Sequence, residues 1–110
     1  MTNFVNEFNI ESALNFKVAQ DHGWWTGDIN DGEKIALMHS ELSEALEALR
    51  HRNPSDSHIP AFTALEAELA DVMIRVMDYG VYRNLRLAEA IQAKREYNAT
   101  RLFKHGGKLF

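Results

Sequence analysis

Apolar residues recur every three or four positions along four stretches of the chain, the period of a helix buried along one face. Segments rich in Gly, Pro, Asp and Asn separate these stretches and are typical of loops. Only 2 Pro and 6 Gly occur in 110 residues, which argues against a turn-rich all-β fold. The pattern therefore predicts one all-α domain over residues 1–110, built like a four-helix bundle, with residues 102–110 as a basic tail. The predicted helices cover about residues 10–21, 33–51, 63–82 (or from Pro60) and 85–100.

The second and third predicted helices are apolar on more than one side. On the second, Ile35, Met38, Leu42, Ala45 and Leu49 form one continuous face, and further apolar residues flank it. A helix with two apolar sides is usually buried on both, which four short helices of one chain do not achieve. We therefore expect self-association through helix faces, as a homodimer or homotetramer; a monomer with an apolar surface is the alternative.

Composition excludes several classes of protein. The chain has no cysteine, so disulfides and thiolate metal sites are ruled out. It has no apolar run of about 18 residues that would span a membrane, and its beginning lacks the basic start and apolar core of a signal peptide. A cytoplasmic protein that binds no membrane is therefore expected.

Charge is distributed unevenly along the chain. The net charge of −4 argues against a nucleic acid polymer as partner. Residues 1–93 hold seven basic and fifteen acidic residues, whereas the remainder from Lys94 holds five basic residues and one acid. An acidic body and a basic C-terminal region are complementary, so the two regions are expected to attract each other.

Two pairs of acids lie beside apolar stripes on the second and third predicted helices. Glu41 and Glu44 are three residues apart, as are Glu68 and Asp71, so each pair shares a helix face. Like charges beside an apolar stripe are unfavourable unless a cation compensates them. Helices joined by a short loop pack antiparallel, which would bring the pairs together around Mg²⁺, a cation that prefers oxygen ligands. The alternative is that the acids lie on solvated faces; a di-iron site is disfavoured because neither pair has the form Glu-x-x-His.

The ordered acids resemble a known family. Glu-x-x-Glu, 23 intervening residues and Glu-x-x-Asp resemble the MazG-like, all-α nucleoside triphosphate pyrophosphohydrolases. The flanking stretches EKIALMHSELSEALEALR, ELADVMIRVMDYG and KREYNATRLFKHGGK are similar as well, so the resemblance extends from about Asn15 to Lys108. Ser40 stands where the family commonly has a further acid, which leaves the four usual ligand positions intact.

The resemblance implies a reaction and a metal. Glu41, Glu44, Glu68 and Asp71 would bind Mg²⁺, with Mn²⁺ as an alternative, and Glu41 or Glu44 would act on the attacking water. The substrate would be a nucleoside or deoxynucleoside triphosphate, and the products a nucleoside monophosphate and pyrophosphate. The cellular role would be house-cleaning of the nucleotide pool.

The resemblance also implies where the substrate binds. Trp24 or Trp25 would stack on the base, and Asn15 and His22 would hydrogen-bond the base or sugar. A non-catalytic helical interaction protein with a structural or incidental metal site is the alternative function. The residues expected to hold the phosphates are Lys94, Asn98, Arg101 and Lys104.

Overall fold

The computed structural model describes residues 3–101, and this part of the chain is all-α as predicted. The first helix begins about six residues earlier than the sequence pattern indicated; the other three agree with it to within about two residues. The predicted basic tail, residues 102–110, lies outside the described residues. No helix of the described part is long and apolar enough to cross a membrane. The helices are α1 (Phe4–Asp21), α2 (Asp31–Arg50), α3 (Ala64–Tyr82) and α4 (Leu87–Ala99).

Short polar side chains define where the first three helices begin. The side chain of Asn3 accepts a backbone N–H in the first turn of α1, and Asn30 does the same for α2. Thr63 and Glu66 form a reciprocal capping box at the start of α3, as their spacing predicts. These caps satisfy backbone donors that no helical partner reaches.

Helix α3 is the centre of the fold because both α1 and α2 pack against it. Near the start of α2, Asp31 Oδ1 accepts from Arg83 Nε at 2.7 Å, and further along α2 Glu41 pairs with Arg75. Residues further along α2 therefore pair with residues earlier along α3. The two helices are antiparallel, as predicted. The last helix, α4, packs against α1.

The interface between α2 and α3 is built from small residues. Ala45, Ala48 and Ala67 are buried, whereas Leu42 is 49% exposed and Leu49 is 53% exposed. Alanines allow two helices to approach closely, so α2 turns its alanine face toward α3 and its leucine stripe outward. Most of the apolar face predicted on this helix thus points away from the rest of the described chain, within which no large side chain is fully buried.

Candidate metal centre and adjoining pocket

Three carboxylates converge across the interface of α2 and α3. One oxygen from each of Glu41, Glu44 and Glu68 lies within 4.8 Å of the others. Glu41 is buried, at 7% exposure, while Glu44 is exposed to solvent. The buried alanines beside them let α2 and α3 approach closely, so glutamate side chains from the two helices meet.

Asp71, the fourth predicted ligand, lies about one turn beyond Glu68 on α3. Its carboxylate is not part of the group of oxygens within 4.8 Å. It lines the pocket next to that group, and its negative charge is close enough to help raise the pKa of Glu68.

Glu68 is the electrostatically strained member of the cluster. Burial, a shared hydrogen bond with Glu44 and repulsion by the neighbouring carboxylates raise the pKa of Glu68 from its ordinary 4.5 to about 7. Its Oε2 atom is buried and has no hydrogen-bond partner within residues 3–101. A buried acceptor without a donor is costly, so the cluster favours the arrival of a proton or a cation.

Arg75 compensates the most buried acid of the cluster. Its Nε donates to Glu41 Oε1 at 2.7 Å. Its guanidinium carbon also lies 4.3 Å from the centroid of the Trp24 ring, within the range of a cation–π contact. Arg75 therefore connects the carboxylate cluster to the aromatic loop after α1.

The donor set of the cluster is suited to a hard cation. All its ligand atoms are carboxylate oxygens, and one of them, on Glu68, lacks a donor among the described residues. Mg²⁺ and Mn²⁺ prefer such oxygen ligands, whereas sites for softer metals use sulfur or imidazole. Glu41, Glu44 and Glu68 are thus able to hold a divalent cation, at the cost of competing with Arg75 for Glu41.

A pocket of about 270 Å³ opens between α1 and α3 beside the cluster. This volume is near the lower end for small-molecule sites and fits a part of a nucleotide rather than the whole. It brings together three residues that the resemblance assigns to nucleoside binding, Asn15, His22 and Trp24, with the candidate ligand Asp71. The full lining consists of Asn15, Val18, Ala19, His22, Trp24, Asp71, Ile74, Arg75 and Asp78.

The two adjacent tryptophans have different environments. Trp24 is 42% exposed and lines the pocket. Trp25 is partly buried, stacks on Tyr82 with ring centroids 4.7 Å apart, and contacts Phe16 with centroids 5.7 Å apart. Trp25 therefore attaches the loop to the ends of α1 and α3, and Trp24 is the tryptophan that is able to contact a ligand in this pocket.

Two charged residues of the pocket lining, Arg75 and Asp78, were not among those predicted from the sequence. Asp78 is only 5% exposed, and burial raises the pKa of Asp78 to about 6 although the charge of Arg75 opposes this. Glu68, Asp71, Arg75 and Asp78 follow one another at spacings of three, four and three, which is one polar stripe on an otherwise apolar helix. The acidic motif that carries the resemblance ends at Asp71. The same helical spacing continues to Arg75 and Asp78, so the sequence could have identified these two residues as well.

The predicted phosphate-binding residues lie apart from this pocket. Lys94 and Asn98 line a separate, open pocket of about 440 Å³ along α4. Arg101 follows the end of α4, with its guanidinium carbon 5.8 Å from the Tyr97 ring. Lys104 lies outside the described residues. No residue lines both the α4 pocket and the pocket that contains Trp24.

Comparisons of the chain with protein-family models, with curated proteins and with solved structures give no match. The resemblance to MazG-like enzymes therefore stays a prediction based on the residues quoted above. The acidic cluster and its adjoining pocket are the features from which a function is inferred.

Proposed function

We propose that the protein is a Mg²⁺-dependent pyrophosphohydrolase of nucleoside or deoxynucleoside triphosphates, acting in house-cleaning of the nucleotide pool. The observation that supports this most is the convergence of Glu41, Glu44 and Glu68, together with a pocket whose lining includes the exposed Trp24 and Arg75, the partner of Glu41. Three carboxylates on their own would repel a triphosphate. A divalent cation between the carboxylates and the phosphates would remove this repulsion.

Glu41, Glu44 and Glu68 would hold this cation, with Asp71 as the fourth ligand that the resemblance implies. When bound, Mg²⁺ neutralises phosphate charge and lowers the pKa of a coordinated water. The raised pKa of Glu68 supports this assignment, because a cation would relieve the repulsion by neighbouring carboxylates that helps to raise it. Mn²⁺ would serve in the same place.

Glu44 is the better candidate for the general base. Glu41 Oε1 already accepts a hydrogen bond from Arg75 Nε, whereas Glu44 is exposed and is able to contact water. Glu44 would take a proton from water while the water oxygen bonds to the α-phosphorus. The bond from that phosphorus to the α,β-bridging oxygen breaks, and pyrophosphate leaves with its electron pair.

Lys94, Asn98 and Arg101 are proposed to hold the phosphates, with Lys104 extending the patch. Since α4 packs against α1 and lines a separate pocket, these groups would act on a substrate that extends beyond the tryptophan pocket or on one bound by a neighbouring copy. Self-association is proposed on the exposure of the outward α2 stripe, in which Leu42 and Leu49 are about half exposed. Light scattering should then give a homodimer or homotetramer mass.

The test is pyrophosphate release from a panel of nucleotides with Mg²⁺. Glu44→Gln should lower kcat by about a hundredfold or more, as expected for loss of a positioned acid–base group. Glu47→Gln is the matched control, since Glu47 is an exposed acid on the same helix outside the cluster, and it should keep normal turnover. If folded protein releases no pyrophosphate from any nucleotide, the enzymatic proposal is wrong and the non-catalytic interaction protein is the better interpretation.

A further inference from the structure

We propose that Asp78 recognises the base of the substrate, and that the pocket between α1 and α3 prefers guanine. The inference rests on the proposed function, because it names the base that the nucleotide site would take. It depends on the chemistry of Asp78, Trp24 and Asn15, which line one pocket beside the carboxylate cluster.

Asp78 is a buried acceptor that has no donor in the described chain. It is 5% exposed, it lines the pocket, and its Oδ1 atom is buried without a hydrogen-bond partner between residues 3 and 101. The nearest cation on the same helix, Arg75, donates its Nε–H to Glu41 instead. Buried polar atoms in native proteins nearly always have a partner, so a ligand that supplies N–H donors would complete this site.

Trp24 supplies the flat surface that a base requires. The guanidinium of Arg75 covers part of its ring at 4.3 Å from the centroid, and the residue is still 42% exposed. Stacking of a base on an aromatic side chain does not depend strongly on which base is stacked. Trp24 therefore explains binding of a base, whereas the choice of base must come from hydrogen-bonding groups.

The remaining polar groups of the pocket complement a guanine edge. Asn15 has an amide N–H₂ group whose only partner among the described residues is Met77 Sδ, at 3.7 Å. Such a weak bond to sulfur is easily exchanged for a carbonyl oxygen. His22 Nδ1 lies 2.8 Å from the carbonyl oxygen of Val18, so Nδ1 carries the proton that it donates to this oxygen.

Guanine is the base whose edge presents two neighbouring N–H donors, N1–H and the exocyclic amine, next to a carbonyl oxygen. An ionised carboxylate only accepts hydrogen bonds, so Asp78 would accept both and Asn15 would donate to the carbonyl. Adenine and cytosine place a ring-nitrogen acceptor beside their amine, and uracil and thymine place their one N–H between two carbonyl oxygens. Each of these edges would set an acceptor against Asp78, which a buried site discriminates strongly.

The experiment compares kcat/KM for dGTP, dATP, dCTP and dTTP in the unaltered protein, in Asp78→Asn and in Asp28→Asn. Asp28 is an exposed loop acid outside the pocket lining and provides a matched control for the same substitution. We expect the unaltered protein and the control to prefer dGTP by about tenfold or more, since one lost buried hydrogen bond to a charged group is worth about that factor. In Asp78→Asn the dGTP value should fall by about tenfold or more, with smaller changes for the other bases. An unchanged order of preference in Asp78→Asn, or a different preferred base in the unaltered protein, would overturn the proposal.

A second arm needs no variant, and its binding measurement needs no turnover. The hypoxanthine nucleotide dITP lacks the exocyclic amine of dGTP, so the unaltered protein should use it about tenfold less well; equal use would argue against recognition by Asp78. Binding of dGMP and the other monophosphates is followed by quenching of tryptophan fluorescence. If no nucleotide is hydrolysed but dGMP binds most tightly, the proposed function fails and base recognition stands. If nucleotides are hydrolysed without base preference, only the inference about Asp78 fails.

Discussion

Replacing Glu68 with glutamine should change how the stability of the protein depends on pH. The pKa of Glu68 is about 7 in the folded chain and near its ordinary 4.5 in the unfolded chain, so the folded state binds the proton more tightly. The free energy of unfolding of the metal-free protein should therefore fall as pH rises from about 4.5 to 7, and be insensitive to this group above that range. Glutamine does not titrate, so the fall should become smaller in Glu68→Gln, most clearly between about pH 6 and 7, while Asp78, whose pKa burial raises to about 6, still contributes a fall at lower pH.

The size of the effect follows from the two pKa values. A change from 4.5 to about 7 corresponds to at most about 3.4 kcal/mol. Because Glu68 is only partly buried and its neighbour Glu44 is exposed, solvent screening should reduce this to about 1–2 kcal/mol. For a chain of this length that is about 5–10 °C in melting temperature between pH 5 and pH 8.

The assay is thermal melting followed by circular dichroism from pH 5 to pH 8 in the presence of a chelator. Glu11→Gln is the control, because Glu11 is exposed on α1 and outside the cluster, and it should retain the pH dependence of the unaltered protein. Mg²⁺ at ten times its dissociation constant should then restore about 1.4 kcal/mol at pH 8, and less in Glu68→Gln. Equal pH dependence of stability in all three proteins would show that Glu68 is not the group with the raised pKa. Equal gains in stability with Mg²⁺ would show that the ion does not bind at Glu68.

Four further substitutions probe Arg75, the two tryptophans and the α4 residue Lys94. Arg75→Met should lower the unfolding free energy by about 3–5 kcal/mol, because it leaves the buried Glu41 carboxylate without its partner, and chemical denaturation in chelator measures this; a loss below about 1 kcal/mol would show that Glu41 is solvated. Trp25→Ala should lower the free energy of unfolding by about 3 kcal/mol, whereas Trp24→Ala should weaken nucleotide binding with little loss of stability. Thermal melting measures the first effect and fluorescence titration the second, and the opposite pattern would mean that Trp25 contacts the ligand and Trp24 stabilises the fold. Lys94→Ala should raise KM for a triphosphate by about tenfold without altering the fold, and unchanged kinetics would leave Lys94 a solubilising residue.

The amino-acid sequence determined the local features of this protein. The start of α3 was predictable because Thr63 and Glu66 bond to backbone groups within one turn. The sharing of a face by Glu41 and Glu44 was predictable because a helix fixes the angle between residues three apart. The early start of α1 at Phe4 was not predicted, although Asn3 caps the helix and Phe4 and Phe8 have the spacing of one helix face.

Only the tertiary structure decided which of the predicted faces meet. Periodicity shows which residues share a face of one helix, but not how that helix is rotated relative to its neighbours. It therefore did not show that Ala45 would pack inward and Leu42 outward. The same rotation and spacing bring Glu68 to Glu41, bury Asp78 beside Trp24, and leave the α4 residues at a separate pocket. These outcomes depend on contacts between residues far apart in the chain. The small side chains of the alanines set the distance between the helices, and this distance determines which carboxylates approach one another.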